Sequence, residues 1–150
     1  MRLDNPSLTI RKPDRPVSPL KEQPWRIILT HDASSIPADS ICLTDEFRDR
    51  TLVVENVFNY LELLKKLYNN KKIGTILLEA GGCLVREFLK AGLVDEWVGF
   101  YAPIIIGGGT DGVAPGPFLE HEAHLEQPVV NIIGDDVCIR GAIGHRSRMR

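Results

Sequence analysis

One short run carries residue types that could act on a small ligand: Leu77-Leu78-Glu79-Ala80-Gly81-Gly82. It predicts a buried strand ending at Glu79 and a helix starting just after the glycines. Open α/β sheets place their ligands at the carboxyl ends of strands. Two glycines let the backbone come close to a bound group. The helix start offers N–H groups and a positive dipole end, which suits a phosphate. On spacing alone, an equal alternative is a plain strand-to-helix turn, with the glycines taking unusual backbone angles and Glu79 solvated. Gly107–Gly112 spells Gly-x-Gly-x-x-Gly, but a Gly/Pro-rich loop and not a helix follows it, and Gly-x-x-x-x-Gly-Lys-Ser/Thr is absent, so neither a standard dinucleotide fingerprint nor a P-loop is supported.

The elements that must position this run can be read from periodicity and punctuation. Residues 4–11 read as turn-like and then extended, because Asn5-Pro6 disfavours helix. Four prolines among charges make 12–24 a long loop. Strands are predicted at 25–30 and 51–54, with an irregular stretch at 34–46 between them. Phe58, Leu61, Leu64, Lys65 and Tyr68 share a helical face, which predicts an amphipathic helix over 57–69. A short apolar strand follows at 73–79. Leu84, Val85, Phe88 and Leu89 mark the next helix, and Gly92 is placed to stop it. A strand at 97–106 ends at Gly107-Gly108-Gly109, and 111–117 is a Gly/Pro-rich loop. Strands at 129–133 and 137–142 flank a hairpin turn at Gly134-Asp135-Asp136, and 145–150 is a frayed basic tail. Alternating strands and helices, then a hairpin, predict one α/β domain with a mixed, mostly parallel sheet and flanking helices.

The 150 residues carry a formal net charge of −2, which provides no field to attract nucleic acid or an acidic membrane. No apolar run reaches the roughly 20 residues that span a bilayer, and the start lacks a signal-peptide pattern, so a cytoplasmic protein is expected. Cys42, Cys83 and Cys138 are odd in number and widely spaced, which fits buried inert thiols better than disulfides or a zinc site. His121-Glu122-Ala123-His124 could share a helix face and hold a metal, but its charges fit a solvated surface better, and no metal is expected. Lys65-Lys66 and Lys71-Lys72 suit the C-terminal end of the helix dipole.

Several motifs, taken in order, shift the balance at Glu79. Asp4-Asn5-Pro6-Ser7-Leu8-Thr9-Ile10-Arg11 comes first, then Pro24-Trp25-Arg26-Ile27-Ile28-Leu29. Glu79-Ala80-Gly81-Gly82 with Leu84, Ala91-Gly92-Leu93-Val94-Asp95-Glu96, Ala102-Pro103, Ile106-Gly107-Gly108 and Gly134-Asp135-Asp136-Val137-Cys138 follow. Together they resemble the reductase domain of the bifunctional riboflavin-biosynthesis deaminase/reductase family over nearly the whole chain. The resemblance implies a dihydrofolate-reductase-like fold, NADPH as cofactor, and a homodimer. It implies reduction of the ribosyl chain of 5-amino-6-(5-phosphoribosylamino)uracil to ribityl. It also implies Leu8, Arg11 and Glu79 at the substrate. At the cofactor it implies Asp4, Gly81, Gly82, Cys83, Leu84, Val85, Arg86 and Glu87. No catalytic residue is assigned. Arg11 suits a substrate phosphate because a guanidinium pairs with it bidentately.

Three departures qualify the resemblance. The family's opening strand with a Ser-Leu-Asp-Gly-like motif, its first helix and its second strand have no match, so the reductase domain is expected to be N-terminally truncated. The family's Asp-Ser pair after the first strand here is Thr30-His31. His124-Leu125-Glu126 spells His-x-Glu, but no Pro-Cys-x-x-Cys accompanies it, so the zinc deaminase signature is not expected here. Two further possibilities stay open: a truncated, non-catalytic nucleotide-binding or dimerisation module of the same fold, and a pteridine reductase.

Overall fold

The computed structural model describes residues 5–11, 23–105, 107, 119 and 122–146. It divides into two compact units, Met1–Gly74 and Thr75–Arg150. Residues 12–22 of the loop expected at 12–24 and the Gly/Pro-rich loop at 111–117 lie outside the described residues, as does the tail beyond Arg146.

In the first unit, β1 (Arg26–Thr30) and β2 (Thr51–Glu55) pair in parallel, with Arg26 opposite Thr51 and Thr30 opposite Glu55. Both were legible as β-branched and apolar runs. The connection between them is not wholly irregular: it holds one 3-10 turn at Ala33–Ser35 and the single helical turn α1 (Ile41–Thr44). The helix α2 spans Tyr60–Lys71 rather than 57–69. Asn59 sets its start, because its side-chain oxygen accepts from the Glu62 N–H, a standard cap for an orphan donor. Lys72 sets its end in the left-handed region, at φ 57°, donating its N–H to Leu67 and Tyr68. The face predicted for this helix is therefore corrected. Phe58 lies outside it and is 88% exposed, Leu61 and Tyr68 are exposed, and Leu63 and Leu67, one turn apart, are the buried pair. Lys65 pairs with Glu62 on the surface, and Lys71 sits 4.4 Å from the Trp25 ring centre, so local partners as well as the dipole account for these cations.

In the second unit, α3 (Gly82–Lys90) buries Phe88 and Leu89. Gly92, at φ 65°, ends it as predicted: its N–H bonds to Leu89 O, and the Leu93 N–H bonds back to Phe88 O. Three antiparallel strands follow in the order β3-β5-β4: β3 (Glu96–Tyr101), β4 (Glu122–Ile133) and β5 (Asp136–Arg146). The predicted hairpin is present, and Gly134 takes the positive φ its turn requires. The strands differ in length from expectation. β3 stops at Tyr101, five residues short of 106. The hairpin arms are longer than predicted and include 145–146, so that part of the tail is strand. A bulge between Glu126 and Val129, with Gln127 at φ 47°, breaks the alternation that makes a strand visible in sequence. Overall the chain is a mixed α/β fold with parallel and antiparallel sheets. Among the described residues the antiparallel part is the larger.

The expected strand at 73–79 is not formed. These residues join no ladder with any described segment, and Ile76 and Leu77 are 40% and 79% exposed. A strand exists only through a neighbour that takes up its N–H and C=O groups, so an apolar run alone does not make one.

Candidate functional site

The residues proposed for ligands fall on two segments, one in each unit. Asp4 lies outside the described residues.

The first segment, Asn5 to Arg11, belongs to no helix or strand, so side chains must satisfy its backbone. Asn5 ties its start to the α1 turn, accepting from the Ile41 N–H at 2.9 Å. The Cys42 thiol donates to Pro6 O at 3.1 Å. Arg26, 3% exposed within β1, donates to Ser7 O at 2.9 Å. The Gln23 side-chain amide brackets Ile10, accepting its N–H at 2.9 Å and donating to its carbonyl at 3.3 Å. Between these holds, Leu8 takes φ 50°. That left-handed conformation costs a residue with a Cβ about 1–2 kcal/mol. Leu8 is 36% exposed, and the exposed Arg11 donates to the Ser7 hydroxyl at 3.1 Å. Arg11 thus has a loose local partner and keeps donors to offer an anion.

Arg26 is the centre of this arrangement. Its guanidinium makes a two-pronged contact with Asp45, at 2.7 and 2.8 Å, and also donates to Cys42 O and the Thr51 hydroxyl. With Ser7 O, every one of its N–H donors has an acceptor. The Arg26 hydrogen bond holds the Asp45 carboxyl below its ordinary range, and the Asp45 hydrogen bond raises Arg26 in turn. Burial pushes the Cys42 thiol up, so Cys42 is an uncharged donor.

The second segment runs from Glu79 into α3. Glu79 is exposed and does not end a strand, which corrects the premise that a buried strand presents it. Gly81 is the N-cap, with φ −65° and no side-chain cap, and Gly82 begins the helix. Gly81 has an ordinary backbone angle, so unusual geometry does not explain it. A Cβ built at Gly81 would meet nothing within 4 Å, so the approach to the helix start is open. Cys83 is exposed, which corrects the expectation of a buried thiol there, while Cys42 and Cys138 are buried. Leu84, Val85, Arg86 and Glu87 are half-buried along the first turns. The first N–H groups of a helix have no partner within it, so Gly82 and Cys83 offer donors to an anion.

Two other sequence signals resolve differently. His124 lies on β4, not on a helix, and approaches Glu122 at 3.3 Å, while His121 lies outside the described residues. His31 follows β1 and is exposed. Sequence reasoning missed Gln23, Arg26 and Asp45. Only Arg26 left a trace, as a charge inside an otherwise apolar strand, where an unpaired charge is rarely buried.

Comparison with known proteins shows the family and the fold of the chain. The family model described as the RibD C-terminal domain matches residues 1–139. A curated relative, the riboflavin biosynthesis protein RibD of Mycobacterium tuberculosis, is 32% identical over 110 residues, covering 73% of this chain and 30% of that protein. Among solved structures, Acinetobacter baumannii RibD superposes with a TM-score of 0.74 at 22% identity, over 94% of this chain and 44% of that one. The Thermotoga maritima diaminohydroxyphosphoribosylaminopyrimidine deaminase/5-amino-6-(5-phosphoribosylamino)uracil reductase gives 0.68 at 19% identity, over 95% and 42%. The chain belongs to the RibD C-terminal domain family, and its fold is that of the RibD reductase domains. It spans less than half the length of these relatives.

Proposed function

We propose that this chain carries the reductase function of riboflavin biosynthesis, using NADPH to reduce the ribosyl chain of 5-amino-6-(5-phosphoribosylamino)uracil to ribityl. The family match over 1–139 carries the proposal, since it spans both ligand segments. The net change is a hydride to C1′ and a proton to the ring oxygen released when the sugar opens. NADPH supplies the hydride, so the protein's part is to bind and orient. The uncapped start of α3, with the Gly82 and Cys83 N–H groups and Arg86 nearby in sequence, is a donor set that fits the cofactor's phosphates. Arg11 pairs with the substrate phosphate, Leu8 packs against its pyrimidine or ribose, and Glu79 accepts from its hydroxyls or amines. Asp4 contributes on the cofactor side. A cytoplasmic homodimer is the proposed working form.

A second reading, a non-catalytic nucleotide-binding or dimerisation module of the same fold, is favoured by one observation. The run at 73–79 leading to Glu79 has no partner strand among the described residues. Without a ladder the backbone at Glu79 is less closely fixed than at a strand end, and loose positioning costs rate steeply. The 150-residue chain alone is therefore expected to turn over substrate well below about 1 per second, the low end of typical enzymes. NADPH absorbance loss with and without the pyrimidine measures this, and turnover at or above that rate contradicts the expected impairment.

The same chain is expected to self-associate. Phe100, Val130 and Ile132, on the three-stranded sheet, are 65%, 60% and 79% exposed, which is costly in water. Sedimentation at tens of micromolar, an order-of-magnitude loading, should show dimers, and a clean monomer there removes the dimer from the proposal.

A further inference from the structure

The geometry points to Arg26 and Gln23 as positioning residues that hold the Ser7–Arg11 segment in ligand-ready form through its backbone. The inference rests on the proposed role of Leu8 and Arg11 at the substrate, and goes beyond it by naming what sets their placement. Arg26 and Gln23 are both 3% exposed, so their proposed role is exerted through the segment's backbone and not by contact with the ligand.

Three observations meet here. Among the described residues the segment has no ladder partner, and side chains supply its fixed points: Arg26 on Ser7 O, and the Gln23 amide on both polar atoms of Ile10. Gln23 imitates the paired bonds that a neighbouring strand would give. Leu8 lies between the two fixed points in a left-handed conformation, at φ 50°. A strained residue persists only where its surroundings over-determine it, and such residues gather at ligand clamps. Lastly, the anchors are themselves locked. Asp45 holds Arg26 on two oxygens, and Arg50 donates to Gln23 O at 2.8 Å while lying over the Trp25 ring. The strain at Leu8 is thus tied to β1 and to the turns before β2, and these set the direction in which Leu8 and Arg11 project.

The test uses the whole chain with two substitutions. Arg26→Lys keeps a positive charge but cannot span Ser7 O and both Asp45 oxygens. Gln23→Ala removes the Ile10 bracket and leaves Arg26 in place. Amide hydrogen exchange is followed residue by residue, and titration calorimetry uses 5-amino-6-(5-phosphoribosylamino)uracil and, separately, NADPH. Each variant is expected to speed exchange within Ser7–Arg11 about tenfold, the ratio expected when a hydrogen bond of ordinary strength is lost. The β1–β2 ladder should stay protected, pyrimidine affinity should fall, and NADPH affinity should hold.

Unchanged exchange at Ser7–Arg11 overturns the inference. So does equal loss of protection across β1 and β2, which marks a general folding role. Faster exchange with unchanged pyrimidine affinity also overturns it. If the unsubstituted chain binds NADPH but not the pyrimidine, while exchange responds as expected, the substrate assignment falls and the holding role stands. Gln23→Glu, which keeps the acceptor for the Ile10 N–H, should recover part of the protection. No recovery counts against the bracket.

Discussion

Asp45→Ala is expected to destabilise the first unit by roughly 3 kcal/mol, the lower end of the range for stripping one partner from a buried ion pair. The Arg26 side chain is 2% exposed and would be left charged without its carboxylate. The loss stays at the lower end because Ser7 O, Cys42 O and the Thr51 hydroxyl still accept from it, and because the Asp45 side chain is 20% exposed. The interaction also has a pH signature. The folded carboxyl of Asp45 lies below its ordinary value, so its contribution is complete above the unfolded value of about 3.9 and is lost as pH falls through the folded one. Arg26 is raised from an already high value and stays charged throughout that range, so it adds no acid dependence. Urea melts from pH 7 down to pH 2 should show the unsubstituted chain losing more stability in acid than Asp45→Asn does. Parallel curves would mean that the pair contributes nothing in solution.

Arg11→Ala and Glu79→Gln are each expected to weaken pyrimidine binding by roughly 1–3 kcal/mol, the range for hydrogen bonds to charged groups. NADPH affinity should change much less, because the start of α3 is the proposed cofactor contact. Arg11 is exposed and, among the described residues, its side chain bonds the Ser7 hydroxyl, and Glu79 is exposed, so neither substitution should disturb folding. Titration calorimetry with each ligand separates the effects. Equal losses for both ligands would indicate a folding defect, and no loss of pyrimidine affinity would remove both residues from the site.

The parts of this fold that could be read in sequence are those decided locally. β1 and β2 are apolar runs, α3 has a regular apolar period, and Gly92 and Gly134 mark turns that need a positive φ. What could not be read depends on distant partners. The run at 73–79 has the composition of a strand, yet pairing decides strands, and composition says nothing about a partner. The buried face of α2 depends on what Leu63 and Leu67 pack against, so Phe58, Leu61 and Tyr68 were an equally periodic but wrong choice. The support under the proposed substrate segment joins residues far apart in the chain: Arg26 to Ser7, and Gln23 to Ile10. Glu79 and the start of α3 stand out in sequence by residue type and spacing, whereas Leu8 and Arg11 are proposed from the resemblance of motifs alone. Of the residues proposed to hold Leu8 and Arg11, Gln23 carries no motif, and Arg26 lies in the Pro24–Leu29 motif, which gives no sign of the distant carbonyl it bonds.

Hydride transfer itself tests the central claim most directly. The chain, at a concentration matching the substrate, is incubated for hours with the pyrimidine and NADPH deuterated at the transferring carbon, and the product is analysed by mass spectrometry and NMR. Long incubation at stoichiometric enzyme detects even the slow turnover expected of this chain. A ribityl product carrying one deuterium at C1′ is the predicted result. Unreduced ribosyl compound after full incubation, with NADPH bound but not oxidised, would contradict the reductase and leave a nucleotide-binding module in its place.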